Sequence, residues 1–199
     1  MGRLYSALGE VALAQDEWRK ALAIPGRLSP QEKQWLDLML TQYGPPDPYF
    51  RKADEYLVLY PDDYRITSRL AVNQWHVRND FRKGEALIRR VLKPQYEGAE
   101  VSRYSLGIFL LGQEKYDAAL AEFRTSHNAG FTAAGEYYAR AYDAQGLHAD
   151  ADKVYFASTG GRDGWKADVG VTTWISRGQW QQAADVAVAW KTAADDAND

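Results

Sequence analysis

Small side chains recur in phase along this 199-residue chain, and that phase restricts its fold more than any other feature. In "YSLGIFLLGQEKYDAALAEF", residues 104 to 123, Leu106 and Gly107 precede a polar break from Gly112 to Lys115. Tyr116, Ala119 and Phe123 follow, with Ser126 one turn later. About 32 residues on the pattern returns as Tyr142, Gly146, His148, Ala151, Tyr155 and Ser158, then again as Trp174, Gly178, Trp180 and Ala183. Upstream it reads Trp75, Asn79-Asp80, Phe81, Gly84, Ile88 and Val91, before that Phe50, Ala53, Leu57 and Tyr60, and first Gly9, Ala14, Trp18 and Ala21. Self-similarity at this period is the signature of stacked helical pairs.

Each place has a packing reason. The small residue (Ala14, Ala53, Gly84, Ala119, Ala151 or Ala183) lets the second helix of a pair approach the first, and aromatics four residues on or three before fill the space around that contact. The glycine or Asn-Asp at the break ends the first helix through a left-handed cap and reverses the chain. No pair buries its apolar faces alone, so stacking stabilises the array.

The expected fold is therefore all-α, an α-solenoid forming a right-handed superhelix of about five full units and one half unit. Helix pairs are expected near residues 30–60, 65–93, 100–128, 132–158 and 165–193. One repeat domain spans 1–193, with a partial unit at 1–28, units at 29–62, 63–97, 98–130, 131–162 and 163–193, and an acidic tail at 194–199. Gly9 is the break of the first unit, so "MGRLYSAL" supplies only part of a helix. This predicts that the chain is a fragment of a longer polypeptide, with the apolar side of the last helix, at Val186, Val188 and Trp190, open to self-association or to binding the missing segment.

Composition narrows function. No cysteine is present, which removes disulfides, thiolate metal sites and cysteine nucleophiles together. A net charge of -3 and a pI near 5.7 argue against general affinity for nucleic acid or anionic lipid. Charge is uneven: residues 64–97 hold eight Lys or Arg against three Asp or Glu, and residues 133–199 hold six against ten. No apolar run approaches the roughly 20 residues of a membrane-spanning helix. A myristoylation-like start and an Ala12-Leu13-Ala14 cleavage-like site are read as coincidental, because Glu10 interrupts the apolar run. A cytoplasmic location is expected, or an extracytoplasmic one if the parent is a membrane protein.

The spacings resemble the tetratricopeptide repeat, a helix-turn-helix unit of about 34 residues. The resemblance is fullest over residues 101–190, at Leu106, Gly107, Tyr116, Ala119 and Phe123, then Gly146, Ala151 and Tyr155, then Gly178, Trp180 and Ala183. Glu114 and Asn79 occupy places usually glycine, the closing prolines are mostly missing, and "YGPPDPYF" is read as a rigid inserted loop at residues 43–50. Residues 29–130, with "LSPQEKQWLDLML" and "ADEYLVLYPDDYRITSRLAV", are similar to repeat regions C-terminal to bacterial serine/threonine kinase and winged-helix regulator domains. That resemblance implies a sensor or docking arm of a larger signalling protein.

No catalytic, metal or cofactor site is expected. The chain has no glycine-rich nucleotide loop, His-Arg-Asp loop or Asp-Phe-Gly. His76, His127 and His148 form no zinc motif. "HADAD", residues 148–152, reads as acids at a helix start, and "STGGRDGW", residues 158–165, as an inter-repeat turn. The seven tryptophans read mostly as core.

Two functions fit: an interaction module holding a peptide or partner protein in a concave groove, or a regulatory domain that senses a small molecule or secreted peptide and controls an attached output domain. The groove is expected to present Arg69, Asn73 and His76, then Tyr104, Ile108 and Leu111, then Glu136, Arg140 and Asp143, then Trp165, Asp168 and Thr172, each set on one face by its i, i+4 spacing. Arg69 and Asn73 resemble half of the carboxylate clamp of tetratricopeptide co-chaperones. Ser105, Ala133 and Tyr137 lack the other half, so a mixed apolar and charged peptide is the expected occupant.

Overall fold

In the computed structural model of the chain, residues 1–93, 98–131, 135–157 and 171–196 are described. Among them there are twelve helical stretches and no strand: α1 (Gly2–Ala7), α2 (Val11–Leu22), α3 (Pro30–Thr41), α4 (Pro46–Leu59), α5 (Tyr64–Arg78), α6 (Phe81–Val91), α7 (Ala99–Leu111), α8 (Tyr116–Asn128), α9 (Gly135–Ala144), α10 (His148–Ala157), α11 (171–176) and α12 (Trp180–Asp196). They fall into two compact halves, Met1–Val91 and Leu92–Asp199. In each half, helices neighbouring in sequence pack as hairpins.

The phased small residues lie in the core. Ala14, Ala53, Gly84, Ala119, Ala151 and Ala183 are all buried, as are Trp18, Leu57, Ile88 and Phe123 four residues after the first four of them. Ser126 closes the α7–α8 hairpin: its hydroxyl donates to the Glu100 carbonyl at the start of α7, 2.6 Å away. A small polar residue there lets the end of one helix satisfy the beginning of another.

Local chemistry sets the helix ends. Ser29 and Glu32 form a reciprocal capping box before α3, with Pro30 in its first turn. The Asp63 carboxylate accepts from Arg65 and Ile66 N–H at the start of α5. At the other end of α5, Asn79 takes the left-handed conformation at φ 52°, and the Asp80 carboxylate then accepts from Lys83 N–H. The break before α8 is left-handed as well, although Glu114, at φ 61°, supplies it in place of glycine.

Two expectations need correction. Residues 46–50 are helical, because α4 begins at Pro46. Proline fits the first turn, where its missing N–H would have had no partner inside the helix. The tryptophans are also less uniformly core than their spacing implied. Trp18 is buried and Trp35, Trp75 and Trp174 are half-buried, whereas Trp180 is 67% exposed at the first position of α12. Side chains at helix starts have fewer neighbours on their outer side, so the interval alone does not bury them.

Candidate functional site

The first helices of the pairs carry the candidate residues, and each half presents its own set. In the N-terminal half, Arg69 and His76 are exposed on α5 and Asn73 is half-buried between them. The Arg69 guanidinium donates to the side-chain oxygen of Gln42, just past α3, so it already stitches two hairpins together. Below it lies Tyr49 of α4, whose hydroxyl is pushed up to about 12 by burial, with the Arg69 charge and the nearby Asn73 amide drawing it back. The Asn73 amide completes no hydrogen bond to that hydroxyl, which has no partner among the described residues. The His76 ring lies 4.0 Å from that of Trp75, and burial draws its pKa down. Phe50 is covered by the Arg78 guanidinium at 3.8 Å, and Arg78 also reaches Asp47 at 3.0 Å, at the edge of an open cleft of about 560 Å³.

In the C-terminal half, the Tyr104 ring on α7 packs against Phe123, Phe131 and Tyr137 at 5.7, 5.1 and 6.0 Å. Burial raises the Tyr104 pKa, with the Glu136 carboxylate adding to the effect, so the phenol stays neutral at any physiological pH. Arg140 stands over the Tyr137 ring at 5.2 Å and pairs with Glu136 at 2.7 Å. It also reaches the Thr172 hydroxyl on α11 at 3.4 Å. Tyr104, Glu136, Arg140 and Thr172 thus form one connected aromatic and charged surface.

Ile108 does not belong to that surface. It is 3% exposed, within an unbroken buried run from Ser105 to Leu110, and Leu111 after it is half-buried. A helix apolar on every side gives its periodicity no preferred face, so spacing could not separate surface from core there. Trp165 and Asp168 lie outside the described residues, as does "STGGRDGW".

Asp143 has a partner that sequence reasoning missed. Arg177, in the turn after α11, donates through Nε to Asp143 Oδ1 at 2.8 Å and through a terminal nitrogen to the same oxygen at 2.6 Å. Its other terminal nitrogen donates to Asp152 Oδ1 at 2.7 Å. His148 Nδ1 lies 2.9 Å from Asp143 Oδ1. Burial opposes the Arg177 charge, but the hydrogen bonds to Asp152 and Asp143 outweigh it and raise the pKa. Of the acids in "HADAD", Asp150 pairs with Lys153 in the first turns of α10 while Asp152 serves this arginine. The available signal was the interval: Arg177 follows Asp143 by 34 residues, one repeat length. Arg140, Asp143, His148, Thr172, Ser176 and Arg177 line a cleft of about 380 Å³.

No protein-family model matches the chain, and no curated protein matches it. Solved structures do. PilW, described as a widely conserved type IV pilus biogenesis factor, superposes with a TM-score of 0.76 at 18% identity, covering 96% of this chain and 89% of that one. PilF of Pseudomonas aeruginosa gives 0.70 at 17% identity over 96% and 87%. A kinesin light chain of nearly identical TPR-like repeats from Podosopora anserina gives 0.59 at 14% identity over 79% and 89%. With its hairpins, its buried small residues and these likenesses, the chain has the tetratricopeptide-repeat fold, an all-α solenoid of helical repeats.

Proposed function

We propose that the chain is a protein-interaction module that holds a peptide or partner surface along the first helices of its repeats, as part of a larger bacterial signalling or regulatory protein. The observation that carries this reading is the surface of Tyr104, Tyr137, Arg140 and Glu136, where rings packed edge to face lie beside a half-buried ion pair. Aromatic rings and arginine are the side chains that anchor partner proteins, through large rigid contact area and planar charge-assisted hydrogen bonds. Arg69, Asn73 and His76 supply a second, more polar stretch in the N-terminal half. The clefts on the described residues have mixed charge, which suits a peptide better than the enclosed apolar pocket a small-molecule sensor uses. Scaffolding is the general role that the fold supports, and the kinase or winged-helix context rests on the resemblance of residues 29–130.

The test begins with a partner captured from cells by the wild-type domain. Arg69→Ala and Arg140→Ala are then compared by calorimetric titration. Loss of more than about 1 kcal/mol of binding in either variant, with an unchanged melt, supports the reading. Full affinity in both would exclude these faces as the binding surface.

A further inference from the structure

We infer that the cleft between α9, the start of α10 and α11 is a socket for a cationic side chain, a lysine or arginine of the partner. This rests on the reading of the module as a peptide-binding surface and adds the chemistry of one subsite. Asp143 lies against this cleft with its side chain only 10% exposed. Its donors among the described residues, Arg177 Nε, an Arg177 terminal nitrogen and His148 Nδ1, all converge on Oδ1. Its other oxygen, Oδ2, receives no donor from the described residues and is not fully buried. A carboxylate oxygen held in place and left without a donor is an acceptor waiting for an N–H.

The charge balance has the same sign. The Arg177 side chain, 6% exposed, faces two carboxylates, Asp143 and Asp152, so while the His148 imidazole beside Asp143 is neutral one negative charge is left uncompensated among the described residues here. Arg140, at the rim, is neutralised by Glu136. The Arg177 donors are already committed to Asp143, Asp152 and the His148 carbonyl, so this arginine builds the wall and does not compete for an anion. Ser176, on the cleft lining, spends its proton on the Thr173 carbonyl at 2.8 Å, leaving its oxygen lone pairs for a donor. A volume of about 380 Å³ is ample for one long side chain. An ammonium or guanidinium entering it would meet Asp143 Oδ2 and Ser176 Oγ, while its methylene stem lay along Ala144.

The test uses the full chain, labelled with ¹⁵N, and three capped tripeptides, acetyl-Gly-Lys-Gly-amide and its glutamate and norleucine counterparts. The lysine peptide is expected to shift the amide signals of Ala144, Thr173 and Ser176 saturably, at concentrations on the order of millimolar for a single side chain. The other two peptides should leave those signals in place. Asp143→Asn should weaken the lysine peptide by about tenfold or more. Since Asp143 also holds Arg177, Ser176→Phe provides the second variant: it fills the cleft without touching the carboxylates, and should abolish the shifts at an unchanged melt. Equal shifts from the norleucine or glutamate peptide, no shifts from the lysine peptide, or lysine binding that survives Ser176→Phe would each overturn the inference. The probe needs no natural partner, so the two failures are distinguishable: a captured partner indifferent to Arg69→Ala and Arg140→Ala sinks the groove reading, whereas the tripeptides report on the socket alone.

Discussion

Gly107 of α7 faces the ring of Phe123 of α8 so closely that a Cβ at position 107 would stand 2.5 Å from the ring's Cε1. Phe123 is wholly buried, so its ring cannot swing outward. Gly107→Ala should therefore destabilise the α7–α8 hairpin by about 1–3 kcal/mol, against a helix propensity that alone favours alanine. Phe123→Leu in the same chain should recover part of that loss. A double-mutant cycle in denaturant checks the coupling, and additive losses would show that the two residues do not constrain each other.

Glu114 holds a left-handed backbone that its Cβ disfavours. Glu114→Gly removes the penalty without altering a buried contact, since residue 114 is exposed. Stability should rise by about 1 kcal/mol. Thermal unfolding of the two proteins gives the answer, and a lower midpoint for the glycine variant would count against backbone strain as the controlling effect.

Tyr49 and Tyr56, both on α4, have phenol pKa values of about 12 in place of the ordinary 10.0. Burial is the main cause at both, and at Tyr56 the hydrogen bond to Asp63 adds to it. The folded state holds these protons more tightly than the unfolded chain. Their contribution is therefore complete below pH 10 and is lost as pH rises from 10 through 12. Urea midpoints across that range should fall, and the fall should be shallower in Tyr49→Phe. At neutral pH the same variant should be more stable by on the order of 1 kcal/mol, because it removes a buried hydroxyl without a partner.

Removing Arg177 would leave Asp143 and Asp152 facing each other across the space it occupied. Arg177→Met keeps much of the apolar stem and deletes the charge. It should cost roughly 3–5 kcal/mol, the range for stripping one partner from a buried pair. Arg177→Lys should recover little, since one ammonium cannot reproduce the forked contacts to both carboxylates. Chemical denaturation measures both, and a near-neutral Arg177→Met would mean that the network is hydrated more than its burial implies.

The repeat was legible because its governing constraint is local. A position that admits only a small side chain shows itself as Ala14, Ala53, Ala119 or Ala151 whatever surrounds it, and the turn glycines mark their own backbone geometry. The polar contacts between hairpins were not legible in that way. Arg69 reads as a groove residue until Gln42, 27 positions earlier, is seen to accept from it. Asp143 likewise reads as a groove residue until Arg177, 34 positions later, is seen to donate to it. Long polar side chains reach partners that only tertiary structure assembles, and sequence spacing records the repeat without recording which of these reach across it. Ile108 failed for the opposite reason, since α7 from Leu106 to Leu111 is apolar on all sides and offers no contrast to read.

The polar contacts that cross from one hairpin to the next change partners from junction to junction: Arg69 with Gln42, Gln145 with Asp117 at 2.7 Å, and Arg177 with Asp143. Among the described residues the donor place recurs, since Arg78, Gln145 and Arg177 each stand just before a left-handed turn residue, but Arg78 brings a guanidinium to Asp47 where Gln145 brings an amide to Asp117, and Arg177 turns to a different acceptor place. The consequence is a grammar of order. A hairpin cut from one place and spliced into another would still find room for its alanine, but its outward-reaching cation or amide would meet a stranger. Shuffled arrays of these hairpins should thus fold and yet seat poorly, because succession along the chain is written in the polar pairs and not in the shared packing frame.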